Sequence, residues 1–313
     1  MNLRENFNAI RGRLTLPVVV APMFLVSGPE MVIAARRCGL VGSFPAPNAR
    51  NMEILDDWLS QITQSVKEEP GCLGTWSMNL VVHQTYKRLK SELELVEKYK
   101  PPIVITALGS PKDVVNVVQD YGGFVIADVS SIEYARKAAD MGVDGLALVS
   151  AGAGGHTGKL SGFTFLPAVR EFFDGIVIYA GGVGTGDGVL AAEILGADLV
   201  YMGTGFIATE ESQAKSEYKN MLVASGPNDF VLTNAFTGAD AYYLRESVIQ
   251  CGFDPDNLNT RTRMDFGGSD DQVSAWKDIW SAGPIAQLIR RVEPLADVAG
   301  RLRAEYQQAR RRT

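Results

Sequence analysis

The chain has 313 residues, a hydrophobic content of 46%, a charged content of 21% and a formal net charge of −6 at pH 7. These contents are typical of a globular chain, and the length predicts one large domain or two average ones. The acidic balance disfavours nucleic acid or an anionic membrane as the main partner. Because no apolar run approaches a membrane span and no secretory signal is evident, we expect a cytoplasmic protein.

Cysteine and histidine are scarce in the chain. Cys38, Cys72 and Cys251 form no CxxC pair, which fits free thiols in a reducing compartment. His83 and His156 are the chain's two histidines and stand far apart, with no clustered ligands. We therefore expect no metal site built by protein ligands.

Short runs rich in β-branched residues alternate with amphipathic segments along most of the chain. The alternation predicts eight strands, at residues 16–23, 40–45, 75–82, 103–108, 123–129, 145–150, 176–181 and 199–204. The segments between them have helical spacing, and several of the strands are apolar throughout, as in a sheet covered on both faces. The pattern predicts an α/β fold, a closed (β/α)₈ TIM barrel. An open doubly wound sheet is the alternative, but no GxGxxG follows the first strand.

The pattern changes in the last third of the chain. We predict that the barrel occupies residues 1–227. Residues 228–275 are rich in Asn, Asp, Gly and Thr, which indicates an insertion or lid. Residues 276–313 return to helical spacing and are predicted to form C-terminal helices that pack on the barrel.

Three glycine-rich segments follow the predicted sixth, seventh and eighth strands. They read AGAGGHTG at 151–158, AGGVGTGDG at 180–188 and MGTGF at 202–206. Glycine lets a backbone approach a ligand closely, and N–H groups after a strand can bind an anion. The loops after strands seven and eight commonly hold a phosphate in this fold. Backbone N–H groups and the Thr204 hydroxyl would supply the contacts; tight turns without a ligand are the alternative.

His156 follows a glycine pair at the end of the sixth predicted strand. A neutral imidazole can accept a proton near pH 7, so His156 is a candidate base, although it could instead hydrogen-bond a loop. The end of the first strand, Ala21-Pro22-Met23, could lie under a planar ring or pack the top of the barrel. Asn79 and Asp128 could hydrogen-bond a polyol or ring edge, or cap the segments that follow them.

Five of these segments together resemble the nitronate monooxygenase family, formerly called 2-nitropropane dioxygenase, which binds FMN. They are APM at 21–23, MNL at 78–80, the glycine-rich segments at 151–158 and 180–188, and YMGTGFIATEES at 201–212. The resemblance covers residues 15–225. The chain departs from many members at three positions: Val149 and Tyr201 stand where many have glutamine, and Gly152 where an acidic residue is common.

The resemblance implies roles for the candidate residues. One group would pack against or hydrogen-bond the isoalloxazine ring: Ala21, Pro22, Met23 and Asn79. Another would line the side of the ring and leave His156 above it: Ala153, Gly154 and Gly155. The last would bind the phosphate: Gly181, Gly182, Gly203 and Thr204.

The predicted activity is the FMN-dependent oxidation of alkyl nitronates or nitroalkanes with O₂, which gives a carbonyl compound and nitrite. His156 would take the α-proton of a neutral nitroalkane or hydrogen-bond a nitronate. The first alternative is an FMN-dependent NAD(P)H reductase, of the enoyl-acyl-carrier-protein or quinone type. The second is a non-redox barrel that binds a phosphorylated ligand. The sequence leaves open the physiological substrate and the oligomeric state, a homo-oligomer included.

Overall fold

The computed structural model of the protein describes residues 3–260 and 275–312. Eight parallel strands form a closed barrel, in which the first strand pairs with both the second and the last. The barrel strands are β1 Val18–Val20, β2 Val41–Pro45, β3 Thr75–Val81, β4 Ile103–Ala107, β5 Phe124–Val129, β6 Gly145–Val149, β8 Ile176–Ala180 and β9 Leu199–Met202. Each falls inside the run predicted for it, so the (β/α)₈ barrel is confirmed.

Helices follow the strands and cover the outside of the barrel. They are α2 Pro29–Arg37, α3 Met52–Glu68, α4 Leu89–Tyr99, α5 Lys112–Gln119, α6 Ile132–Asp140, α7 Gly162–Arg170, α8 Gly186–Leu195, α9 Thr204–Ile207 and α10 Ser216–Ala224. Side-chain caps fix several helix starts: Asn51 accepts from the Ile54 amide, Ser131 from Tyr134 and Thr185 from Gly188. A 3₁₀ helix, Ala46–Asn48, follows β2.

Alternate residues of the strands point into the barrel and out to the helices. Val19, Ile105, Ile126 and Ile178 belong to the inner cluster, whereas their sequence neighbours pack against the helices. Because the alternation has a period of two, the last residue of each strand that points inward lies at the carboxyl end of the barrel. These last residues form the base of the site described below.

An N-terminal helix that the sequence analysis did not predict, α1 Leu3–Arg11, closes the opposite end of the barrel. Phe7 is 1% exposed and meets Phe124 edge to face, with ring centroids 5.8 Å apart. Arg4 and Arg170 both bind the buried Asp198 carboxylate, at 2.6 Å and 2.7 Å. Helix α1 therefore seals the amino ends of the strands.

A second sheet lies above the carboxyl ends of the strands. Its strands are β7 Gly155–His156, β11 Ala241–Leu244 and β10 Phe230–Thr233, all antiparallel, and we call them the upper sheet. Helix α11, Arg245–Gln250, follows β11. The upper sheet contains part of the segment expected to be a lid, and residues 261–274 of that segment lie outside the described residues.

The C-terminal region differs in part from the prediction. Helix α12, Leu295–Arg310, packs against α8 and α2. Residues 276–289, however, form turns and a 3₁₀ helix, Pro284–Leu288, where helical spacing had suggested an α-helix. The physical reason is Gly283-Pro284, since proline is poorly tolerated within an α-helix. Within residues 3–260 and 275–312, no helix has the length and apolar character needed to cross a membrane.

Candidate active site

A cavity of about 1520 Å³ opens at the carboxyl ends of the barrel strands. Its base, which we call the cavity floor, is made by one inward-pointing residue from each barrel strand or its end. The floor consists of Ala21, Pro45, Asn79, Ala107, Asp128, Val149, Ala180 and Tyr201. Five of these side chains are small and apolar, so the space above the floor is open and its polar groups come from β3, β5 and β9.

All thirteen residues predicted for the site line this one cavity, although they come from segments far apart in sequence. They are Ala21, Pro22, Met23, Asn79, Asp128, Ala153, Gly154, Gly155, His156, Gly181, Gly182, Gly203 and Thr204. The barrel brings them together because its parallel strands all end at the same face.

The glycine-rich loops pack against one another without side chains between them. Gly182 has a φ of 65° and Gly155 a φ of 71°, in the left-handed region that favours glycine. A Cβ on Gly154 would collide with the Thr204 hydroxyl and would lie 2.8 Å from the Gly283 amide nitrogen. The Thr204 hydroxyl oxygen accepts a hydrogen bond of 3.0 Å from that amide. The hydroxyl can also donate one hydrogen bond, which a ligand in the cavity could accept.

His156 is held by the upper sheet. It pairs with Ala241 in β11, and its Nε2 lies 3.2 Å from the Thr237 hydroxyl oxygen. Trp276 meets the imidazole edge to face, with ring centroids 5.2 Å apart. Burial lowers the pKa of His156 to about 4. The imidazole is therefore neutral at pH 7 and can accept a proton.

Asp128 and Tyr201 meet across the cavity floor. The Tyr201 hydroxyl donates to Asp128 Oδ1 at 3.4 Å. Burial raises the pKa of the Asp128 carboxyl to about 7, and the hydrogen bond from Tyr201 lowers it by a smaller amount. Burial, followed by the neighbouring Asp128 charge, raises the pKa of Tyr201 well above its usual value. Asp128 is thus poised between its charged and neutral forms near neutral pH.

Sequence reasoning missed three residues that shape the site: Thr237, Trp276 and Tyr201. Thr237 is 3% exposed and its hydroxyl also reaches the Ala239 carbonyl, so it orients the imidazole from a distant part of the chain. Neither Thr237 nor Trp276 belongs to a motif that could have identified it. Tyr201 was visible as a departure from the family pattern, but the departure alone did not indicate its partner.

The cavity is large enough for a flavin. Its volume exceeds the roughly 300–1,000 Å³ of common ligand pockets, which leaves room for a cofactor and a substrate. A Cβ on Gly203 would lie 3.3 Å from the Met23 sulfur and 3.5 Å from the Ala21 side chain, so glycine keeps this side open. The described residues hold no group of three or more His, Cys, Asp or Glu side chains that could bind a metal.

A closed barrel with a cavity at the carboxyl ends of its strands is the architecture of a (β/α)₈ enzyme. The family model for nitronate monooxygenase matches residues 44–254, and the chain belongs to this family. Membership of this family is the basis for the activity proposed below.

Curated relatives include two kinds of named enzyme. A probable nitronate monooxygenase of Staphylococcus haemolyticus is 27% identical over 212 residues, covering 64% of this chain and 57% of the relative. A Mycobacterium tuberculosis protein named (3aS,4S,5R,7aS)-5-hydroxy-7a-methyl-1-oxo-octahydro-1H-indene-4-carboxyl-CoA dehydrogenase is 27% identical over 255 residues, covering 80% of this chain and 68% of the relative. The chain thus matches 57% of the first relative's length.

Two solved structures share the fold over nearly the whole chain. FabK from Thermotoga maritima has a TM-score of 0.78 at 22% identity, covering 98% of this chain and 97% of that chain. A nitroalkane oxidase from Streptomyces ansochromogenes has a TM-score of 0.74 at 22% identity, covering 97% and 99%. At this identity the likeness concerns the fold alone.

Proposed function

We propose that the protein is an FMN-dependent oxidoreductase that oxidises alkyl nitronates or nitroalkanes with O₂ to carbonyl compounds and nitrite. The observation that carries the proposal is the position of His156, a buried neutral imidazole in the same cavity as the glycine-rich loops. A base beside a cofactor pocket is what removal of an acidic C–H proton requires. Membership of the nitronate monooxygenase family supports the same substrate class.

The residues that would hold FMN fall into three groups. Ala21, Pro22, Met23, Asn79 and Asp128 would face the ring or the ribityl chain; Ala153, Gly154 and Gly155 would line its side; Gly181, Gly182, Gly203 and Thr204 would bind the phosphate. Bound flavin would supply the redox chemistry, taking electrons from the substrate and delivering them to O₂.

The protein's own residues would position the substrate and move its proton. His156 would accept the α-proton of a neutral nitroalkane, because its imidazole is uncharged at neutral pH. Thr237 would keep the imidazole oriented, since its hydroxyl lies beside Nε2 and its backbone belongs to the segment that leads into β11. Trp276 and the upper sheet would limit access of water to the reacting carbon.

Spectroscopy of the purified protein tests this proposal. After reconstitution with FMN, we expect a yellow protein whose flavin absorption bleaches when propionate 3-nitronate is added without oxygen. Readmission of O₂ should restore the absorption and release nitrite. A colourless protein after reconstitution would exclude FMN as the cofactor. A flavin that stays oxidised in the presence of nitronate would exclude nitronates as substrates.

The size of the cavity favours a second candidate, an FMN-dependent NAD(P)H reductase. Beyond the glycine-rich loops, the cavity extends to Tyr86 on one side and to residues 253–260 on the other. A nitroalkane of a few atoms does not need this space, whereas a nicotinamide donor or a long acyl or quinone acceptor would use it. Bleaching of the flavin by anaerobic NADPH, but not by nitronate, would select the reductase.

A further inference from the structure

The cavity floor contains a pair of polar groups that the proposed base does not involve. Asp128 and Tyr201 are held by β5 and β9, on different sides of the barrel, and both point inward above the apolar inner layer. Tyr201 is 8% exposed. The neighbouring floor residues Ala180, Val149 and Ala107 are small and apolar. The pair therefore presents its oxygens to the cavity from a floor whose other side chains, apart from Asn79, are apolar.

The distance within the pair leaves it able to bind a third group. Tyr201 Oη and Asp128 Oδ1 are 3.4 Å apart, whereas an O–H···O hydrogen bond is about 2.5–3.0 Å long. The phenol proton is thus only weakly engaged by Asp128. An oxygen atom placed above the two groups could accept hydrogen bonds from both, provided that Asp128 carries a proton.

The surroundings of Asp128 favour its protonated form. Among the described residues, the influences on its ionisation are burial and the Tyr201 hydroxyl, and no lysine or arginine pairs with it. The other titratable groups that line the cavity in the described ranges are Tyr86, His156, Tyr218, Asp240, Asp254 and Lys277. A carboxylic acid kept neutral in an apolar site beside a tyrosine is an arrangement that can stabilise a negatively charged oxygen.

We propose that Asp128 and Tyr201 form an anion-binding pair that donates two hydrogen bonds to an oxygen carrying part of a delocalised negative charge. The proposal rests on the proposed function, which supplies two sources of such an oxygen: the nitro group of the substrate and the flavin ring. When His156 takes the α-proton of a nitroalkane, negative charge moves onto the nitro oxygens. If the nitro oxygens lie over the pair, donors already in place there lower the barrier to the proton transfer.

Equilibrium binding of isobutyrate tests whether the oxygen that the pair binds belongs to the substrate. Isobutyrate carries a planar carboxylate on an isopropyl group and is similar in size to propane 2-nitronate. It contains no nitro group to oxidise, and it stays ionised from about pH 6 to 9. Its dissociation constant is measured for the FMN-reconstituted protein, and for the flavin-free protein if FMN is not retained. The wild type should bind isobutyrate tightly at pH 6 and progressively less tightly as the pH rises through about 7 and Asp128 ionises.

Two variants separate the members of the pair. Asp128→Asn should abolish the pH dependence, because the amide cannot ionise. Tyr201→Phe should weaken binding about 10- to 100-fold at every pH, through loss of a hydrogen bond to a charged group. Tyr218→Phe and Asp254→Asn are the controls: both residues line the cavity, but the Tyr218 hydroxyl donates to the Ser281 carbonyl and neither touches the pair.

The midpoint potential of bound FMN tests whether the oxygen that the pair binds belongs to the flavin ring. If the pair faces the flavin, Tyr201→Phe should lower the potential, and the wild-type potential should fall more steeply than that of Asp128→Asn as the pH rises through about 7, because Asp128 gains a negative charge. The isobutyrate constants of both variants should then stay near those of the wild type. A change confined to isobutyrate binding would assign the pair to the substrate. The proposal is overturned if Tyr201→Phe changes neither quantity and Asp128→Asn keeps the wild-type pH dependence of both. Neither readout requires turnover, so a protein that does not oxidise nitronates could still pass this test.

Discussion

At the scale of single residues, the site depends on how burial changes proton affinity. Burial lowers the pKa of His156 to about 4 and raises that of Asp128 to about 7, in opposite directions because it disfavours the charged form of each. Near pH 7, His156 is therefore predominantly neutral and Asp128 is partly neutral. A neutral imidazole can accept a proton, and a neutral carboxyl can donate a hydrogen bond.

Replacement of His156 tests its role as a base. His156→Asn keeps hydrogen-bonding capacity but removes basicity, so turnover of neutral nitroethane should fall by about 10²- to 10⁴-fold. Turnover of the preformed nitronate should fall much less, since its proton is already gone. Steady-state rates on both substrates measure the difference. Equal losses would mean that His156 binds rather than abstracts, and unchanged rates would remove it from the mechanism.

The pH dependence of proton abstraction follows from the same pKa. As the pH rises through about 4, His156 loses its proton and becomes able to act as a base. The kcat/KM for a neutral nitroalkane should therefore show no inflection due to His156 near pH 6.5, where an ordinary histidine titrates. The profile is compared between the wild type and Asp128→Asn. An inflection near 6.5 that persists in Asp128→Asn would contradict the lowered pKa of His156.

The sequence predicted those site residues that stand in short contiguous motifs. The glycines and His156 stand in contiguous motifs, and each lines the cavity because strand ends in a barrel share one face. Thr237 and Trp276 could not be predicted in this way. The pairing of β11 with β7 brings Thr237 to His156, from a segment more than eighty residues away in the chain. Trp276 packs on the imidazole from a segment farther along still.

At the scale of elements, the loop after β8 is the best candidate for phosphate binding. Gly182 is in the left-handed region, and a Cβ there would meet no atom closer than the Gly152 carbonyl oxygen at 3.6 Å. A side chain at this position would therefore point into open space toward the proposed phosphate. This makes the charge of the side chain, rather than a collision with the protein, the property that decides its effect.

A pair of variants at Gly182 uses this geometry. Gly182→Asp should abolish FMN retention, because its carboxylate would repel the phosphate. Gly182→Asn is the matched control with the same shape and a similar tolerance of left-handed backbone, and it should lose less affinity. The dissociation constant for FMN is measured by fluorescence. Full FMN occupancy in Gly182→Asp would show that the phosphate lies elsewhere.

Part of the segment predicted to be a lid is well packed in the structure. Residues 228–260 contain β10, β11 and α11, and Tyr243 is fully buried against Phe236, so this part is packed. Composition indicated an insertion here but did not predict its strands, because β10 and β11 are four residues each and lie among turn residues. The boundaries at residues 228 and 275 remain a prediction.

Limited proteolysis tests the lid. We expect the first cleavage within residues 228–275, and slower cleavage when FMN and isobutyrate are present, because both would lie beneath the segment. Mass spectrometry of the first fragments locates the cut. Initial cleavage within residues 100–200 would contradict both the lid and the barrel boundaries.

At the scale of the whole molecule, the barrel has two chemically different ends. Helix α1 and the Arg4–Asp198–Arg170 ion pairs close the amino ends of the strands, whereas the cavity opens at the carboxyl ends. Eight strand runs sufficed to predict the barrel, because β/α alternation has few alternative topologies. Helix α1 at the amino ends was not predicted, since the sequence of an isolated amphipathic helix does not indicate which surface the helix covers.

Shortening the buried Phe7 side chain of helix α1 should lower the stability of the protein but leave cofactor binding unchanged. Phe7→Ala removes a side chain that is 1% exposed inside the barrel, and such changes cost about 3–5 kcal/mol. The melting temperature should fall by several degrees while the FMN dissociation constant remains that of the wild type. Phe163→Ala, at a side chain 81% exposed, is the control and should leave both unchanged. Loss of FMN binding in folded Phe7→Ala would show that the two ends are coupled.

The contact of Gly283 with Gly154 and Thr204 has a consequence for biosynthesis. A nascent chain that has emerged as far as Met202 contains every barrel strand, but it still lacks Gly283, whose amide hydrogen-bonds the Thr204 hydroxyl. The ribosome therefore delivers a complete set of barrel strands before it delivers a complete pocket. We expect cofactor binding to follow translation of the final thirty or so residues, and chains truncated before Gly283 to bind no flavin.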